Sequence, residues 1–104
     1  SELLNQVGPV DPEVALKMAE GVRSRMALQL LLPTDQVLGV STTGVAGPDS
    51  QDGKPVGLVY IAISGQNGEK VWEERIPGQR QEIRSQTVQL VFARIGEYLG
   101  LIAS

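Results

Sequence analysis

Apolar residues at Ala15, Met18, Ala19, Val22, Met26 and Leu30 recur at intervals of three and four, the period that gathers side chains on one face of an α-helix. Just before them, Asp11-Pro12-Glu13 combines an N-cap acid, a proline at the first helical position, where no N–H is needed, and an acid in the first turn. Pro33 cannot extend the backbone ladder, so the pattern predicts a helix over about residues 12–31. The period then changes. Val37-Leu38-Gly39-Val40-Ser41-Thr42 is short, mostly apolar and partly β-branched, as suits a central strand buried on both faces. From Thr43 the chain runs through Gly44, Gly47, Pro48, Asp49, Ser50, Asp52 and Gly53, the composition of a long loop.

Val56 to Ser64 is a second apolar run, and Gly65-Gln66-Asn67-Gly68 leads from it into Lys70 to Ile76. The two runs read as a β-hairpin with a short Gly/Asn turn, whose charged second strand suits a sheet edge. Because a hairpin is antiparallel, the sheet is expected to be mixed, or the hairpin to lie at one side of it. After Pro77-Gly78, the positions Ile83, Thr87, Leu90, Val91, Ile95, Tyr98 and Leu99 trace one face of a closing helix. Helix, strand, loop, hairpin and helix in this order predict a layered α/β domain. Three strands make a thin sheet, so a buried strand at 37–42 calls for further strands upstream or for another chain beside it.

Composition narrows the chemistry. With 104 residues, 41% of them hydrophobic, the chain suits one core and one domain. A formal charge of −3 gives no global attraction to nucleic acid or anionic membrane, and one Trp, two Tyr and one Phe offer little for base stacking. Trp72 reads as a cross-strand packing residue. No apolar run approaches about 18 residues and the start lacks a secretory pattern, so a cytoplasmic setting is expected. Neither cysteine nor histidine occurs, which excludes Ser-His-Asp and Cys-His catalysis and every Cys or His metal site within this chain. Glu13, Glu20, Glu73 and Glu74 fall at solvated helix and edge-strand positions rather than as a catalytic carboxylate pair.

Two segments remain as candidate sites. Ser41-Thr42-Thr43-Gly44-Val45-Ala46-Gly47-Pro48 leaves a strand end with two glycines, where backbone N–H groups can converge on an anion and the Thr42 and Thr43 hydroxyls add donors. No Gly-Lys-Ser/Thr follows, so it is not a Walker loop, and a Gly-rich strand end of this kind is more often a plain turn. Pro77-Gly78-Gln79-Arg80-Gln81-Glu82-Ile83-Arg84 opens a helix, with Arg80 and Arg84 one turn apart. Together with the helix N-terminus they could clamp a phosphate or carboxylate; alternatively they are solvated or paired with Glu82 or Glu97.

Gly8-Pro9-Val10, Glu13-Val14-Ala15, Met18-Ala19-Glu20-Gly21-Val22-Arg23, Thr43-Gly44-Val45-Ala46-Gly47-Pro48, Lys54-Pro55-Val56-Gly57 and Gly78-Gln79-Arg80 with Ile83-Arg84 follow one another along nearly the whole chain. In this order they resemble the CinA carboxy-terminal domain family of nicotinamide mononucleotide deamidases. The resemblance implies a three-layer α/β/α sandwich with a mixed sheet, here incomplete at its N-terminal side. It also implies an amidohydrolase of pyridine-nucleotide recycling that converts nicotinamide mononucleotide to nicotinate mononucleotide and ammonia without metal or other cofactor. Thr42, Thr43, Gly44, Val45, Ala46 and Gly47 would then lie beside the ligand, with Arg80 and Arg84 as candidates for its phosphate.

Two departures from the family pattern matter. The Ser-Cys-Thr-Gly-Gly-like motif that holds the family's presumed nucleophile, and the Tyr- and Lys-containing segment after it, are absent, and neither Ser41 nor Ser85 sits in an equivalent context. Gln79 stands where the family usually has Asp, a weaker helix cap without charge. The chain is therefore expected to be the carboxy-terminal portion of the amidase domain, inactive alone, and completed by its N-terminal segment or by self-association. A non-catalytic nucleotide-sensing or assembly module is the competing reading. The amidase reading requires the Gly44–Gly47 segment and Arg84 to face one shared hollow.

Overall fold

The computed structural model describes residues 10–50 and 53–102, and the Gly8-Pro9 part of the first motif lies outside them. Helix α1 spans Pro12–Leu30, a 3-10 turn spans Thr34–Gln36, strands β1, β2 and β3 span Gly39–Gly44, Leu58–Gly65 and Gly68–Arg75, and helix α2 spans Arg80–Tyr98. The sheet order is β1-β2-β3. Both pairings are antiparallel, and among the described residues the hairpin lies at one side of the sheet, the second of the two expected arrangements.

Strand β2 organises the layers. All eight of its residues are buried. Leu58, Tyr60 and Ala62 pack with Ala15 and Ala19 of α1, whereas Val59 and Ile61 pack with Ile83 of α2. Alternate side chains thus face opposite helices, which gives the layered α/β domain expected from the element order and the α/β/α arrangement that the resemblance implies. Among the described residues the central strand is therefore β2, and the run beginning at Val37 supplies an outer one. Among the described residues β1 has one neighbour, and its residues after Gly39 are half-buried or exposed. Val37 is not a strand residue: its N–H closes on Thr34 O at 3.1 Å and its carbonyl accepts from Arg23 Nε at 2.9 Å. The charged β3 is an edge strand as expected.

Helix α1 starts where the cap signal places it, with Asp11 Oδ1 accepting from Glu13 N at 2.8 Å. It stops at Leu31, which adopts φ 57° and ψ 41° and donates its N–H to carbonyls of the last turn. Its buried face is made of Val14, Ala15, Ala19 and Ala27, whereas Met18, Met26 and Leu30 of the expected stripe are exposed. Small side chains win this face because the helix lies against the backbone of β1. A Cβ on Gly39 would come within 2.1 Å of Ala19 O, and Ser41 Oγ donates to Ala15 O at 2.5 Å.

Two ties hold α2 to the hairpin. Arg94 pairs with Glu74 of β3 and with Glu97, and lies 5.8 Å from the Trp72 ring centre. Burial opposes the charge on Arg94, but the two carboxylates outweigh it and hold its pKa above the ordinary arginine value. Tyr98 reaches the hairpin turn, accepting from Asn67 N and donating to Gly68 O. No helix among the described residues is long and apolar enough to cross a membrane.

Candidate functional site

The segment after β1 is anchored from both sides. Val45 N donates to Leu58 O at 2.9 Å, and Val45 O accepts from Gly57 N at 2.7 Å. Gly57 sits at φ 92°, where an added Cβ would be 2.2 Å from Ile76 O, so the Lys54-Pro55-Val56-Gly57 stretch stitches this segment to the end of β3. The Val45 side chain is buried in the core beneath α1. Val45 is thus a structural anchor: its side chain points away from the site and its amide is already paired, so the expected nest of free amides does not extend to it.

The two glycines have different tasks. Gly44 is extended and pairs with Val59; a Cβ there would come within 2.8 Å of Val59 Cγ2 and 2.9 Å of Leu58 O, so the residue is small for lack of space. The bend comes at Gly47, at φ 93°, where a Cβ would be 2.9 Å from Val56 Cγ1. A cis peptide joins Gly47 to Pro48.

Helix α2 opens opposite this segment. Gln79 is its N-cap, and the weak cap is reinforced by Glu82, whose Oε1 accepts from Gln79 N at 2.8 Å. Arg80 Nη1 donates to Gly47 O at 3.0 Å, so the two segments singled out in the sequence touch. Arg84 is exposed and forms no hydrogen bond or ion pair among the described residues. Neither suggested partner holds it, since Glu82 serves Gln79 and Glu97 serves Arg94.

Between β1, β2 and α2 lies a hollow of about 260 Å³. Thr42, Thr43, Gly44 and Ala46 line it from one side, and Arg84 from the other. The remaining wall comes from Val59, Ile83, Thr87 and Val88. Of these, Thr87 and Val88 follow Arg84 at the helical spacings of three and four, so the stripe beside Arg84 signals them. Val59 becomes visible only through its register with Gly44. Thr87 Oγ1 donates to Ile83 O at 2.7 Å, leaving its lone pairs toward other donors. Arg80 does not line this hollow; with Gln79, Gln81 and Arg84 it borders a neighbouring one of about 400 Å³. The site therefore joins apolar walls, threonine hydroxyls and one unengaged cation, a combination suited to a flat ring carrying an anionic group. Ser41 is not part of it, because its hydroxyl is bonded to α1.

Comparison with known proteins gives the family and the fold. A model of the CinA C-terminal domain matches residues 1–99. A competence-damage inducible protein of Desulforamulus reducens is 42% identical over 99 residues, which cover 95% of this chain and 22% of that protein. A CinA-like protein of Frankia casuarinae is 41% identical over 86 residues, 83% of this chain and 18% of that protein. Among solved structures, the competence/damage inducible protein CihA from Agrobacterium tumefaciens superposes with a TM-score of 0.75 at 34% identity, covering 91% of this chain and 55% of that one. A CinA superfamily protein from Klebsiella pneumoniae superposes with a TM-score of 0.79 at 24% identity, covering 96% and 58%, which is a likeness of fold. The chain thus spans about a fifth of the length of the curated relatives and just over half of the solved chains.

Proposed function

Because the chain belongs to the CinA C-terminal domain family, we propose that it forms the ligand-holding part of a cytoplasmic nicotinamide-nucleotide amidase. The reaction adds water across the amide of nicotinamide mononucleotide, breaks the C–N bond and releases ammonia and nicotinate mononucleotide. The observation that carries this reading is the shared hollow with Gly44 and Ala46 on one side and Arg84 on the other. Arg84 supplies the charge for a phosphate, and the apolar walls at Val59, Ile83 and Val88 suit the pyridine or ribose.

Thr42, Thr43 and Ala46 are its companions in ligand contact, the two threonines offering hydroxyls and Ala46 an apolar surface. At about 260 Å³ the hollow is smaller than the roughly 300–1,000 Å³ of pockets that enclose a whole ligand of this size. In this reading an upstream segment supplies the rest of the wall and the nucleophile.

Ammonia release from nicotinamide mononucleotide by the full-length protein, and none by residues 1–104 alone, is the expected result; turnover by the short chain would relocate the nucleophile into it. Calorimetry with the same nucleotide should show Arg84→Ala weakening binding by about 1–3 kcal/mol, the loss of one charge-assisted contact.

Assembly is a second reading with its own support. Val88 and Phe92, one turn apart on α2, are 56% and 69% exposed, and β1 is an outer strand among the described residues. Such a surface suits association with the upstream segment or with a second copy. No detectable nucleotide binding, together with a concentration-dependent mass in sedimentation, would favour it.

A further inference from the structure

Arg80 and Arg84 share a helix turn and a chemistry, yet the structure gives them different surroundings. The Arg80 guanidinium is engaged by Gly47 O at 3.0 Å, whereas Arg84 lines the hollow without a partner among the described residues. The four residues Gly44 to Gly47 are fixed at Val45 by its two backbone bonds to Leu58 and Gly57. At Gly47 they are fixed by Arg80, and Ala46, between the two anchors, lines the hollow.

We infer that Arg80 is a positioning residue that sets the far end of the Gly44–Gly47 segment, leaving Arg84, among the described residues, as the cation for the anionic part of the ligand. This rests on the amidase reading for its kinetic consequence, but not for its structural one. A bond from an exposed guanidinium to a backbone carbonyl contributes little to global stability. Its effect is geometric, because a wall displaced by a fraction of an ångström misaligns a bound substrate and lowers turnover more than affinity. A phosphate contact acts the other way: its loss weakens binding of the nucleotide and leaves a phosphate-free analogue unaffected.

The test uses full-length protein carrying Arg80→Ala, Arg80→Lys or Arg84→Ala, with nicotinamide mononucleotide and the phosphate-free nicotinamide riboside. Arg80→Ala is expected to lower kcat about tenfold on both substrates with KM changed by less than about threefold. Arg80→Lys, which can still donate to Gly47 O, should recover at least about a third of the parent kcat. Arg84→Ala should raise KM about tenfold for the nucleotide alone. In parallel, hydrogen exchange of residues 44–47 should quicken in Arg80→Ala and stay parental in Arg84→Ala.

Arg80→Ala kinetics that match Arg84→Ala, no recovery by lysine, or parental exchange at residues 44–47 would overturn the assignment. Should the parent release no ammonia from either substrate, the amidase reading fails, and the exchange experiment still decides the role of Arg80.

Discussion

The Tyr98 hydroxyl, at the last residue of α2, bridges the β2–β3 turn: it donates to Gly68 O at 2.8 Å and accepts from Asn67 N at 2.9 Å. A Cβ on Gly65 would lie 2.6 Å from the same hydroxyl, so the turn and the helix end are fitted to each other. One phenol thereby fixes the end of the chain's final helix to its hairpin.

Removing that hydroxyl tests the tie. Tyr98→Phe keeps the buried ring and loses two hydrogen bonds, one of which satisfies a backbone donor. The expected loss is about 1–2 kcal/mol, read as a lower urea midpoint with unchanged slope. Hydrogen exchange should localise the change to residues 65–68. An unchanged midpoint would show that the ring, not the hydroxyl, makes the tie.

Tyr60 gives a pH signature. It is buried in the core, with its hydroxyl 3.2 Å from Glu73 Oε1. Burial first, then the hydrogen bond to Glu73 and that residue's charge, raise its pKa above the usual value of about 10. The unfolded chain therefore ionises at this residue before the folded one does. The contribution is fully present below pH of about 10 and is lost as pH rises through the folded value. Stability measured from pH 9 to 11 should fall more steeply in the parent than in Tyr60→Phe. Parallel curves would remove Tyr60 as the cause.

Arg94 sits between Glu74 and Glu97, whose side chains are 15% and 9% exposed. Arg94→Ala strands two largely buried carboxylates, at an expected cost of about 2–4 kcal/mol. Replacing Arg94 and Glu74 together with methionine should recover at least half of that loss, because a cation and an anion leave as a pair. If the double variant is the less stable one, the packing of Trp72 against Arg94 matters more than the charges.

Local signals were legible and long-range ones were not. The Asp11-Pro12-Glu13 start, the hairpin and both helices follow from short-range chemistry, and the structure has each of them. The Thr42–Gly47 and Arg80–Arg84 segments are also legible as candidates, and the structure brings them together through Arg80 and Gly47. The order of the strands is not legible in this way. The runs at Val37 and at Val56 are both apolar, and only pairing partners far along the chain decide which lies in the middle. In the same way, Ala15 and Ala19 form the buried face of α1 because Gly39 lets the backbones meet, a matter of tertiary fit that the hydrophobic period, which includes Met18 and Met26 in the same stripe, does not resolve. The opposite roles of Arg80 and Arg84 depend on where one carbonyl points.

Leu31, at the end of α1, holds a left-handed backbone that glycine adopts freely, and its side chain is 88% exposed. An L-residue in that region carries a penalty of roughly 1–2 kcal/mol, partly matched by the greater entropy that glycine loses on folding. Leu31→Gly should therefore raise the thermal midpoint by a net gain of about 0.5–1 kcal/mol. The domain thus holds an untapped reserve for thermostabilisation at a residue that does not line the hollow between Thr42 and Arg84, open to engineering without touching its walls.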